Sequence, residues 1–231
     1  MKKITTFNKL LFLFLVFIGV MIFARIQYSG NTRYLFLTWN IFLGWLPYML
    51  SGYLKDYQNK APYKKLILFS TWLVFFPNAL YIITDLIHLQ HTSNVPTWYD
   101  AILLFASSFA GMMMAFISLK RVEIFLGNIF SKKVVLIFVP VILFLGAFGV
   151  YLGRFQRWNS WNVINDPLAL GLDIFNKVLF PHDNLKTWGI TLILTALYSM
   201  LYFFIKIFPQ AFPGNNPANA NERPFKNDRF E

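Results

Sequence analysis

Six apolar runs dominate the chain, at about Leu10–Ala24, Tyr34–Leu54, Leu66–Thr84, Trp98–Leu119, Val134–Leu152 and Trp188–Phe208. Each is mainly Leu, Ile, Phe and Val, and most approach the length needed to cross about 30 Å of hydrocarbon. No water is present at that depth to satisfy backbone N–H and C=O groups, so such runs have to be helices. The expected fold is therefore all-α: a polytopic integral membrane protein with six transmembrane helices spanning 1–208. The first run follows Lys2, Lys3 and Lys9, as the core of a signal peptide would. No small-x-small cleavage site comes after it, so an anchoring helix is expected.

Composition agrees. The chain is 57% hydrophobic and 13% charged, where an average soluble domain is about 25% charged. Its net charge of +11 raises the question of nucleic acid. However, the Lys and Arg fall between apolar runs instead of along one polar face, which marks topology and argues against a nucleic-acid partner. With the N-terminus in the cytoplasm, 15 of the 21 Lys and Arg lie in inside segments. Reversing the orientation would put every basic cluster on the wrong side, so both termini are expected inside. There is no Cys, which removes disulfides, thiolate metal sites and Cys nucleophiles.

Two segments fall outside the spans. In the 153–187 loop, Asp166-Pro167 reads as an N-cap followed by Pro at the first helical position. The LALGLDIFNKVLF that follows suits a helix lying at the outer interface. The Pro-, Asn- and charge-rich 209–231 reads as a disordered cytoplasmic tail.

The third run ends FPNALYIITDLIHLQH. It runs from inside to outside, so Asn78, Tyr81, Asp85 and His88 climb its outer half at spacings of 3, 4 and 3, along one helical face. Such a face belongs toward the bundle interior and not toward lipid. Pro77 removes one backbone donor and leaves the carbonyl of Leu73 without its usual partner. Asp85 sits near the C-terminal end of its helix, where the macrodipole disfavours an anion, so it is expected to have a compensating partner. Asn40, about two turns into the second run, needs a hydrogen-bond partner at that depth. The fourth run opens TWYD, in which Thr97 and Asp100 resemble a capping box and Trp98 and Tyr99 suit the interfacial belt. The fifth exits as GRFQRWNSWN. Its Arg154 and Arg157 could snorkel, pair with Asp85 or Asp100, or bind an anionic ligand. Trp158 and Asn159 add aromatic and amide surface beside them.

These motifs resemble a known family. FPNALYIITDLIHL, WYDAILL and GRFQRWNSWN, together with WNIFLGWLPYMLS of the second run, look like the bacterial membrane family catalogued as domain of unknown function 1361. The resemblance covers about 34–205 and excludes the tail. It implies a multi-span protein of the bacterial inner membrane and brings no reaction, ligand or cofactor with it. The family-like positions are Asn40, Pro77, Asn78, Tyr81, Asp85, His88, Tyr99, Asp100, Arg154, Arg157, Trp158 and Asn159.

Three functions stay open. An enzyme would act on an anionic or lipid-linked envelope precursor, with Asp85 and His88 as base and acid and Arg154 and Arg157 holding the anionic group. A metal variant would use Asp85 and His88 with Asp100 or His91. A transporter or receptor would bind a small anionic ligand. A non-catalytic accessory or assembly protein would use the same cluster as an ion-pair lock. HExxH, GxSxG and P-loop motifs are missing, so no reaction is named.

Overall fold

The computed structural model describes residues 6–89 and 94–211, and every regular element among them is helical. In chain order these are α1 (Thr6–Ser29), α2 (Phe36–Tyr53), α3 (Pro62–Tyr81), α4 (Thr97–Gly127), α5 (Lys132–Phe155), α6 (Asn162–Asn165), α7 (Pro167–Leu179) and α8 (Leu185–Ile207). Short 3₁₀ segments stand at Arg33–Leu35, Ile82–His88 and Phe208–Ala211. Position His91 and residues 212–231 of the expected tail lie outside the described residues, and Phe208–Ala211 is a turn of 3₁₀-helix.

Five helices are long and apolar enough to cross a membrane: α1, α3 with its 3₁₀ extension to His88, α4, α5 and α8. The segment α2, of 18 residues, is shorter and falls outside this set. Helix α4 is central. Over its span-length core 67% of residues are buried, against 22% for α1 and 17% for α8. It packs against α1, α2, α3 and α5, and α8 packs mainly along α5 while Tyr202 and Lys206 reach Glu123 of α4. The outer helices leave large apolar side chains uncovered, such as Leu10, Phe12 and Phe23 on α1 and Ile193, Met200 and Phe204 on α8. An apolar surface of that extent suits contact with lipid.

Close approach of helices depends on small residues. A Cβ at Gly111 of α4 would stand 2.7 Å from the carbonyl oxygen of Ala79, and one at Gly149 of α5 would stand 2.5 Å from Cγ of Pro77. These two glycines let α4 and α5 press on the segment of α3 that carries the polar residues.

That segment does not stay α-helical to its end. Beyond Pro77 the chain tightens into 3₁₀-helix at Ile82–His88. Carbonyls around this change of winding are taken by hydroxyls from other helices: Tyr198 donates to Leu80 O (3.2 Å), Ser108 to Ile82 O (3.1 Å) and Tyr34 to His88 O (2.9 Å). Each removes an acceptor that would be costly if left bare in an apolar bundle.

Candidate functional site

The site is built on the 3₁₀ turn. At three residues per turn, side chains at i and i+3 eclipse, so Asp85 and His88 project along one line. Both meet Arg154 from the last turn of α5. Arg154 Nη2 donates to Asp85 Oδ1, Nη1 to His88 Nε2 (3.1 Å) and Nε to Thr84 Oγ1 (2.8 Å). Because Arg is only a donor, His88 can accept only through an unprotonated Nε2. The guanidinium also stacks on Tyr81, 4.0 Å from the ring centroid. The second oxygen of Asp85, Oδ2, accepts from Asn40 Nδ2 at 2.8 Å. Asp85 is 0% exposed and the Arg154 side chain 11%. Asn40, Tyr81, Asp85, His88 and Arg154, from α2, α3, its 3₁₀ extension and α5, thus form one network.

Asp100 belongs elsewhere. The capping box expected from TWYD does not form: Pro96 occupies the N-cap and no side chain caps the helix. Asp100 instead pairs with Arg25 of α1, Nε to Oδ1 at 2.7 Å and Nη2 to Oδ2 at 3.0 Å, with both groups almost fully buried. Tyr34 stacks on that guanidinium at 4.1 Å. Tyr99, expected in the belt and among the ligand contacts, donates to Met21 O at 2.9 Å and ties α4 to α1. A metal set of Asp85, His88 and Asp100 is therefore not assembled. Among the described residues no three Asp, Glu or His gather as ligands.

The remaining expected residues divide. Asn78 turns away from Asp85 and donates to Ser160 Oγ (2.8 Å) and Phe75 O (3.0 Å), while Ser160 donates to Val74 O (3.1 Å). These contacts fasten the loop after α5 onto α3. Trp158 donates to Asp173 of α7 at 2.9 Å. Arg157 pairs with neither Asp85 nor Asp100: it is exposed, in a left-handed backbone conformation at φ 61°, with no carboxylate partner among the described residues. Asn159 is exposed beside it and donates to the Arg157 carbonyl at 3.5 Å.

Between α2, α3, α5, this loop and α7 lies a cavity of about 280 Å³. Asn40, Asn78, Tyr81, Asn159 and Ser160 give it polar groups, residues such as Trp39 and Phe148 give it apolar walls, and none of the described lining residues is charged. Thr84, Ser160 and Arg25 are bonding partners of the expected residues that carry no motif of their own. The one sequence signal for Thr84 is its place beside Asp85, and for Ser160 its place inside RWNSWN.

A family model described as protein of unknown function (DUF1361) matches residues 39–201. No curated protein and no solved structure matches the chain. The matched region holds the Asn40–Asp85–Arg154 network and its cavity complete, and the chain belongs to this family of unknown function.

Proposed function

We propose that the protein is a six-span, non-catalytic component of a bacterial inner membrane and that its outer polar cluster is a structural lock. One observation carries this reading: Arg154 commits all three of its nitrogens, to Asp85, His88 and Thr84. An arginine placed to hold an anionic substrate would keep its fork free for that substrate. Asp85, buried and with both oxygens occupied, is likewise closed to service as a general base.

The topology proposed with it has α2 as the sixth crossing. Its 18 residues reach about 27 Å at 1.5 Å per residue, and it packs along α3 and α4. Both termini are cytoplasmic. Two of the six cations on the outer side, Arg25 and Arg154, are neutralised by Asp100 and Asp85, which reduces the charge that runs against this orientation. Helix α7 lies at the outer interface, with Leu168, Leu172, Phe175 and Val178 exposed while Asp173 and Lys177 pair with each other.

The test is membrane abundance and thermal stability of Asp85→Leu, Arg154→Met and the double variant. A lock requires that each single change lower both and that the double recover much of the loss. Single variants with wild-type abundance and stability but no cellular function would instead mark an active site and end this proposal.

The uncharged lining of the outer cavity favours a second, compatible reading, in which the locked bundle holds an amphipathic ligand with a neutral, hydrogen-bonding head group. Native mass spectrometry with an added neutral glycolipid tests it. Asn78→Leu should reduce retention, and equal retention by both proteins would dismiss the site.

A further inference from the structure

At the opposite, Lys-rich end of the bundle, a larger cavity of about 860 Å³ lies between α1, α2 and the end of α4. Phe12 and Leu15 of α1 and Trp45 and Met49 of α2 supply apolar wall, and Arg121 and Lys55 supply cations. Among the described residues, no acidic side chain lines it.

Arg121 differs from the other two inward-facing arginines. Arg25 and Arg154 each have a carboxylate partner. Arg121 Nη1 donates only to neutral acceptors, Tyr48 O at 3.0 Å and Ser51 Oγ at 3.2 Å, and no described carboxylate forms an ion pair with it. Its guanidinium lies 4.3 Å from the Tyr48 ring centroid, and Tyr48 is itself held by its hydroxyl on Asn8 Oδ1 at 2.6 Å. Glu123, two residues along α4, is occupied by Lys120, Tyr202 and Lys206. A half-buried guanidinium is therefore positioned by neutral contacts, without a counter-ion among the described residues, at the mouth of an apolar cavity. A fixed cation beside apolar walls at this end of a membrane bundle suits an anionic head group with an attached chain.

We propose that this cavity binds one anionic phospholipid, with its phosphate on Arg121 and Lys55 and an acyl chain along Phe12, Leu15, Trp45 and Met49. The proposal does not depend on the outer lock, because no residue is shared between them.

Native mass spectrometry of the full chain in detergent, titrated with phosphatidylglycerol, phosphatidylcholine or inorganic phosphate, tests it. One phosphatidylglycerol should be retained in preference to phosphatidylcholine. Arg121→Gln should weaken that retention by about fivefold, the scale expected for one basic group meeting an anionic head group. Leu15→Trp, which narrows the apolar wall where the acyl chain would lie and keeps both cations, should also weaken retention. Should Arg121→Gln fail to fold, Lys55→Gln at an exposed position carries the same expectation. Equal retention of the two lipids, or unchanged retention in the folded variants, overturns the proposal. Inorganic phosphate that displaces the phosphatidylglycerol at millimolar concentration shows a free-anion site and overturns it as well.

Discussion

The Arg25–Asp100 pair offers the sharpest quantitative test of how the bundle is held. Both side chains are about 1% exposed and are joined by two hydrogen bonds of 2.7 and 3.0 Å. Arg25 Nη1 is buried without a hydrogen-bond partner in the described structure, so the pair already bears one unsatisfied donor. Asp100→Leu would remove two charge-assisted bonds, each contributing about 1.5–3 kcal/mol, and leave a guanidinium compensated only by the Tyr34 ring. The expected loss is about 3–5 kcal/mol, the range for uncovering one member of a buried ion pair. An ordinary hydrogen bond between membrane helices contributes only about 0.6 kcal/mol on average, so the two cases are readily told apart. Replacing both residues, Arg25→Met with Asp100→Leu, removes the uncompensated charge. It should cost no more than about 1–2 kcal/mol, mainly from imperfect packing. Equilibrium unfolding of the detergent-solubilised protein by dodecyl sulfate, followed by Trp fluorescence, measures all four corners of the cycle. If Asp100→Leu falls within about 1 kcal/mol of wild type, or the double variant is as unstable as the sum of the singles, the pair is not coupled and the reasoning fails.

Two further outcomes follow from local geometry. Gly111→Ala forces a Cβ to within 2.7 Å of a backbone carbonyl on α3 and should destabilise by about 1–3 kcal/mol. Gly19→Ala, with nothing within 4 Å, should stay within about 0.5 kcal/mol of wild type in the same assay. Glu123 accepts from Tyr202 at 2.5 Å and from Lys206 at 2.5 Å, tying α8 to α4. Glu123→Gln should cost about 1–2 kcal/mol and speed proteolysis after Lys206, and high salt should narrow the difference from wild type.

The helices were legible because lipid allows few alternatives: long apolar runs must satisfy their backbones internally. Their ends were less so. Among the described residues α1 covers Thr6–Ser29 and so extends past both ends of its apolar run, because polar residues continue a helix once it leaves hydrocarbon. The change to 3₁₀ winding at Ile82 was hidden, since periods of 3.0 and 3.6 look alike over seven residues. Pairing of Arg154 with Asp85 could be read as one option among three, because an unusual cation and an unusual anion both fell at the outer end. Pairing of Arg25 with Asp100 could not. Arg25 stands at the edge of its run like any loop charge, and Thr97-x-x-Asp100 mimics a helix cap. Only the packing of α1 on α4 decides between a cap and a counter-ion.

The two ends of the bundle treat charge in opposite ways. At the end proposed to face outward, Arg25 and Arg154 each meet a carboxylate, so the cost of desolvating these cations is offset inside the protein. The adjoining cavity is left with amides and hydroxyls and no net charge on its lining residues. An ionised ligand entering there would lose hydration and gain no counter-ion, whereas a neutral hydroxyl or amide could exchange water for Asn78, Asn159 or Ser160 at little loss. At the Lys-rich end the opposite holds. Arg121 is oriented but unneutralised, so an anion brought to it gains attraction that the protein does not already supply. The two proposed sites thus call for different ligands, a neutral head group at one end and an anionic one at the other. The difference comes from the placement of two carboxylates, Asp85 and Asp100, both of which serve arginines at the end away from Arg121.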